Sequence, residues 1–250
     1  MLNWLLYYPV EWGLSYWTDV LITINKEDFE RAHKTFHAKR IVHIPGVGVD
    51  VEGIRSLIVN KEEKRNELRL QENDVMLLSV GELIPRKNHE LVIRALKQIN
   101  DARYKYFICG QGELKDYLLN LAKELGVENQ VKLLGFRNDV WELCKVADIY
   151  IFPSHQEGLS VALMEAIASG IPILCSEIRG NIDLVDNNIN GLCFNPKHAD
   201  EVASKIQQVL SDSNKNKMSL KNPNEVEHLS VEKIMLEYKG IYKFIDIVGV

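Results

Sequence analysis

Six short, predominantly apolar runs set the strongest constraint on how this chain folds: 75–80, 104–109, 131–134, 149–152, 173–175 and 192–194. A strand that is apolar at every position has no face for water, so it belongs in a sheet covered on both sides. Between the runs lie segments with helical spacing, at 88–99, 113–125, 139–146 and 161–169, with a short one near 182–185. Buried strands alternating with helices predict an α/β, doubly wound parallel sheet of the Rossmann-like kind. Ligands of such sheets bind beyond the carboxyl ends of the strands. Gly81, Gly110, Gly135 and the segment 154–158 all fall there.

Composition narrows the function classes. At 250 residues there is room for one full domain and part of a second. A hydrophobic content of 46% with a net charge of -5 describes a soluble globular protein and argues against nucleic acid as partner. Cys109, Cys144, Cys175 and Cys193 have neither metal-ligand spacing nor close pairing, and read as reduced core residues of a cytoplasmic protein. His43, His89 and His155 form no metal constellation, so neither metal nor cofactor is expected. No stretch is long and apolar enough to span a bilayer.

The chemistry concentrates after the fourth apolar run, which Pro153 stops. Gly158 permits a tight turn there, Ser160 is placed as an N-cap, and a helix follows over 161–169. A helix N-terminus offers unpaired N–H groups and the positive end of a dipole, which suits phosphate oxygens. Glu157 precedes the helix and Glu165 lies in its second turn. Carboxylates beside an anion site make sense against sugar hydroxyls, because one carboxylate accepts two hydrogen bonds from a vicinal diol. For an isolated glutamate such as Glu165, exposure to solvent or the capping of a neighbour is the competing explanation.

Arg86 and Lys87 follow the first run and precede a helix. Such a pair clamps a pyrophosphate, Arg in bidentate fashion and Lys as a point charge; a solvated basic turn is the alternative. Gly110-Gln111-Gly112 imitates a dinucleotide fingerprint, but the third glycine position is Lys115, so close helix packing on the strand fails. The loop 135–139, with Phe136 and Arg137, is the better candidate for a nucleobase pocket; a plain turn is its alternative.

With these residues in view, the chain resembles the retaining, nucleotide-sugar-dependent glycosyltransferases of the GT-B type (family 4-like, group 1), whose signature is two glutamates separated by seven residues. Here it runs from Glu157 to Glu165. Further matching segments, in the family's order, are Ile44 to Asp50, Gly81 to Asn88, Gly110-Gln111-Gly112, Leu134 to Arg137 and Gly170 to Ile173. The likeness covers about 41–194 and is nearest to enzymes of bacterial surface or capsular polysaccharide assembly. It implies a donor-binding domain at 46–225, one half of a GT-B fold, preceded at 1–45 by the end of an acceptor domain and followed at 226–250 by a helix returning towards that domain. It further implies that Glu165 holds the ribose hydroxyls and Glu157 those of the sugar. Lys87 and Arg86 then serve the diphosphate, and Gly81, Gly158, Leu159 and Ser160 line the donor site. The expected partners are a nucleotide-sugar, with a UDP-sugar favoured, and a glycan or lipid-linked acceptor; the nucleotide-sugar is a substrate, not a cofactor. One departure stands out: many members carry arginine directly after the first glycine, where this chain has Glu82, and Arg86 is the candidate replacement.

The first 17 residues hold Trp4, Trp12, Trp17, Tyr7, Tyr8 and Tyr16. The favoured reading is a helix packed on another domain, with peripheral membrane contact as the alternative; the segment has no Lys or Arg to meet anionic lipid. A strand over 19–24 and a helix near 26–36 follow. Most of an acceptor domain is absent by the resemblance, which leaves a truncated gene product, a misplaced start codon and a separate non-catalytic nucleotide-sugar-binding subunit open. A nucleotide-sugar epimerase is less favoured, since the pattern lacks its acid–base residues. Towards the end, 198–211 is an amphipathic helix, 213–225 a polar link and 231–247 a helix with Ile234, Met235, Tyr238, Ile241, Tyr242 and Ile245 on one side.

Overall fold

The computed structural model describes residues 2–211 and 226–248. It divides into two compact units, one formed by 1–49 with 228–250 and one by 50–227. The polar link at 213–225 lies outside the described residues.

In the smaller unit, α1 (Leu2–Leu14) is followed by a 3-10 turn, Ser15–Trp17. Strand β1 (Val20–Thr23) then pairs in parallel with β2 (Arg40–His43) across α2 (Lys26–Thr35). Asn25 caps α2 by accepting the Asp28 N–H at 2.8 Å. Ile44 packs with Ile234 and Ile241 of α10 (Val231–Val248), and Val20, Ile22, Val42 and Tyr238 surround them. Tyr16 stacks on His37, with ring centroids 4.1 Å apart, yet Trp12 and Trp17 stay exposed. Among the described residues no helix is long and apolar enough to cross a membrane.

The larger unit carries all six apolar runs as strands: β3 (Val75–Val80), β4 (Tyr104–Cys109), β5 (Val131–Gly135), β6 (Ile149–Phe152), β7 (Ile173–Ser176) and β8 (Gly191–Phe194). They form one parallel sheet in the order β5-β4-β3-β6-β7-β8. The expected α/β doubly wound fold is present. On one face α5 (His89–Ile99), α6 (Lys115–Glu124) and α9 (Ala199–Val209) bury Leu77, Ile108, Ile151, Leu174 and Phe194. Side chains of a strand alternate between faces, so Met76, Leu78, Phe107, Tyr150 and Phe152, all buried, serve the other. There lie α7 (Val140–Val146) and α8 (Val161–Ser169), the latter packed against α3 (Val51–Ser56).

Several local expectations change. The segment near 182–185 is a set of hydrogen-bonded turns, not a helix: Leu184 and Val185 both donate to the Asn181 carbonyl. Three elements had no legible signal: β2, α3 and α4 (Lys61–Glu67), whose sequence is polar all round. The cysteines are not all apart, because Cys175 and Cys193 are register partners on β7 and β8 with sulfurs 3.8 Å apart. Sequence separation conceals this, since parallel neighbours are joined by long crossovers.

Gly110 fixes how closely the sheet ends are drawn together. A Cβ there would lie 1.9 Å from the Gly81 carbonyl oxygen, and the Gly110 N–H donates to the Gly135 carbonyl at 2.8 Å. Gly110→Ala is therefore expected to destabilise the protein by about 1–3 kcal/mol, the usual cost of forcing an atom into a packed site. Urea denaturation of the two proteins measures it, and an unchanged midpoint would contradict the close approach.

Candidate functional site

The strand order reverses at β3, with β4 on one side and β6 on the other. Loops leaving β3 and β6 diverge at such a point and open a crevice. The β3 loop begins at Gly81, whose N–H donates to the Cys109 carbonyl at 2.9 Å, and runs into a 3-10 turn at Pro85–Lys87. That turn folds Lys87 back over Gly81, where a Cβ would meet the lysine Cδ at 3.2 Å. Asn88 closes the turn in the left-handed region, φ 53°, and its amide donates to the carbonyls of Pro153 and Pro196 at 3.1 and 3.0 Å. The β3 loop is thereby tied to the β6 loop.

Across the crevice stands Glu157, only 9% exposed. Its Oε1 lies 2.7 Å from Lys87 Nζ and 3.0 Å from an Arg86 guanidinium nitrogen. Arg86 also donates to the Gln156 carbonyl at 3.1 Å, and Lys87 Nζ sits 5.0 Å from the Phe152 ring centroid. A carboxylate removed from water is costly unless paired. Here two cations share it, so the trio keeps one net positive charge beside the crevice, where it can receive an anion. Lys87→Met is expected to lower stability by about 1.5–3 kcal/mol, the range for a hydrogen bond to a charged group. Chemical denaturation at neutral pH reads this; no loss would mean that Glu157 does not depend on Lys87.

The helix after the β6 loop starts as expected. Ser160 is the N-cap of α8, its Oγ accepting the Leu163 N–H at 3.3 Å. Glu165, half-buried in that helix, accepts from Trp141 Nε1 at 3.0 Å. The loop after β7 closes on this region through Gly180, whose φ of +80° suits glycine and where a Cβ would meet the Gly158 carbonyl oxygen at 2.0 Å. Ser154 Oγ and Asn181 Oδ1 are buried without a protein partner.

A neighbouring cleft of about 430 Å³ is lined by Gly81, Glu82, Gly110, Gln111, Phe136 and Arg137. Phe136 is 73% exposed. The Arg137 side chain is engaged by acids, donating from Nε to Asp139 at 2.7 Å and from a terminal nitrogen to Glu67 at 2.7 Å. Lys64 joins Asp139 at 2.9 Å. The Arg137 guanidinium, with help from Lys64, holds the Asp139 carboxyl down at about 2. A carboxyl whose pKa is lower when folded stabilises the protein above its unfolded value and loses that contribution as pH falls through the folded one. The stability gap between wild type and Asp139→Asn should therefore shrink from about pH 4 to pH 2. A gap independent of pH, by thermal melting across that window, would contradict the pairing.

The structure thus brings Arg86, Lys87 and Glu157 into one cluster, with Gly81 under the lysine. Gly81, Phe136 and Arg137 share the adjoining cleft, and Gly158, Leu159 and Ser160 lead into α8. Trp141 and Gly180 were not picked out from the sequence, and Asn88 and Ser154 only as members of the segments 81–88 and 154–158. Trp141 had a signal: it is the one tryptophan outside the first 17 residues.

The family model described as "Glycosyl transferases group 1" matches residues 60–225. Similar proteins include an uncharacterized glycosyltransferase, MJ1607, of Methanocaldococcus jannaschii, 33% identical over 190 residues, which are 73% of this chain and 49% of that protein. Another is the UDP-Gal:alpha-D-GlcNAc-diphosphoundecaprenol alpha-1,3-galactosyltransferase of Escherichia coli, 30% identical over 233 residues, 90% of this chain and 60% of that one. The chain thus spans about half of the length of the curated relatives that it matches. Among solved structures, Anabaena Alr3699/HepE in complex with UDP superposes with a TM-score of 0.83 at 21% identity, covering 90% of this chain and 64% of that one, a likeness of fold.

Proposed function

The chain belongs to the glycosyl transferases group 1 family, and on that premise we propose that its larger unit is the donor-binding half of a retaining glycosyltransferase that uses a nucleotide-sugar, most simply a UDP-sugar. The observation that carries this reading is the Glu157–Lys87–Arg86 cluster, a shielded carboxylate with an excess cation at the strand-order reversal. Lys87 and Arg86 stabilise the diphosphate as it leaves. That group gains negative charge in the transition state, so fixed cations act there more than in the ground state. Glu157 is at hand for sugar hydroxyls, and Glu165, oriented by Trp141, for the ribose diol. The base rests in the cleft beside Gly81, Phe136 and Arg137. Attack on the face from which the diphosphate departs gives retention.

The relatives guide the choice of donor and acceptor. The E. coli galactosyltransferase is named for UDP-Gal and a diphosphoundecaprenol-linked sugar, and HepE was crystallised with UDP. These names support a UDP-sugar donor and a glycan or lipid-linked acceptor, and the proposal extends to bacterial surface polysaccharide synthesis at the inner face of the cell membrane.

Calorimetric titration with UDP and GDP tests the donor site. UDP is expected to bind saturably, and Glu165→Ala to weaken it by roughly tenfold, the loss of about one charged hydrogen bond. Absence of binding by either nucleotide, or no effect of the substitution, would overturn the assignment.

A further inference from the structure

Beneath the crevice a run of polar contacts crosses three strands. His89, the first residue of α5, is 3% exposed. Its Nδ1 lies 3.0 Å from the Tyr106 hydroxyl of β4, and its Nε2 lies 3.2 Å from the Glu82 carbonyl oxygen. The Tyr106 hydroxyl meets Ser79 Oγ of β3 at 2.9 Å, and Ser79 donates to the Ile151 carbonyl of β6 at 2.5 Å.

Counting protons limits the ring to two arrangements. Four contacts need four protons, whereas Ser79, Tyr106 and a neutral imidazole supply one each. Burial pushes the imidazolium down to about 4, so the ring holds a single proton at neutral pH. A carbonyl has no proton to give, so the Glu82 contact is a hydrogen bond only with the ring proton on Nε2, and Tyr106 then gives its own proton to Nδ1. With the proton on Nδ1 instead, Tyr106 donates to Ser79, Ser79 to Ile151, and the buried Glu82 carbonyl faces a bare nitrogen. The first arrangement spares the backbone carbonyl that repulsion.

Glu82 and Gly81 line the cleft, and the next residue, Leu83, donates its N–H to the Gln111 carbonyl at 3.0 Å. We infer that His89 is a positioning residue for this cleft: its Nε2–H holds the Glu82 carbonyl and so fixes the Gly81–Glu82 turn, which, on the donor reading given above, faces the bound nucleotide. His89 itself touches no ligand in this role. It acts through the backbone.

The test exploits the two ring nitrogens. Glutamine places its amide nitrogen at roughly the reach of Nε2 and asparagine at that of Nδ1. In His89→Gln, hydrogen exchange at the Leu83 amide should stay within about threefold of wild type. In His89→Asn it should rise by about tenfold or more, with UDP affinity falling by roughly the same factor. Equal exchange in the two variants would overturn the inference. Should neither variant fold, the imidazole nitrogen shifts of the wild-type protein still decide it: a proton on Nε2 supports the role, and one on Nδ1 refutes it. If the wild type binds no UDP, the donor reading fails, while exchange and nitrogen shifts judge His89 separately.

Discussion

Strand β3 is paired in parallel on both edges, with β4 along its whole length and with β6 at Leu77 and Leu78. The chain builds β4 and β5 outward on one side and then returns to lay β6, β7 and β8 on the other. This reversal forces the connections after β3 and β6 to part, and the parting is the crevice. Continuous burial of Met76, Leu77, Leu78, Tyr150 and Ile151 holds the two strands together beneath it. At about 25 cal/mol per Å² of apolar surface removed from water, these side chains contribute strongly to the larger unit.

Charge placement then follows from that scaffold. Glu157 reaches low exposure only because Lys87, 70 residues earlier in the chain, and its neighbour Arg86 arrive at the same oxygen. Asn88 makes the arrival possible by bonding two carbonyls on the far side. The result is a cation pair held by the fold before any anion binds, so little reorganisation remains for binding to supply. His89 extends the same economy to the backbone: a neutral ring, kept so by burial, fastens the turn from below.

How much of this was legible in the sequence varies with the kind of signal. Strand positions were clear, since runs such as Val75–Val80 and Ile149–Phe152 are apolar at nearly every residue. The cap at Ser160 was clear because it is local. Helix α4, with the sequence Lys-Glu-Glu-Lys-Arg-Asn-Glu, has no apolar stripe to detect and is held instead by Lys64 among Glu67, Asp139 and Glu142. The turns near 182–185 passed for a helix because their apolar residues happen to be spaced like one. Partners such as Trp141 for Glu165, or Cys193 for Cys175, depend on strand order and could not be read from spacing.

The sequence by itself determined that a covered parallel sheet forms, which segments make it, and which loops carry glycines and charges at the carboxyl ends of its strands. Those outcomes rest on local conformational preference and on the water-avoidance of contiguous apolar runs, both written along the chain. Only the tertiary structure decided that Arg86 and Lys87 share one oxygen of Glu157, that Arg137 is spent on Asp139 and Glu67, and that His89 reaches Tyr106 and Glu82 at once. Electrostatic and hydrogen-bond partnership is set by distance in space, and distance in space was fixed by the order in which the strands lie side by side.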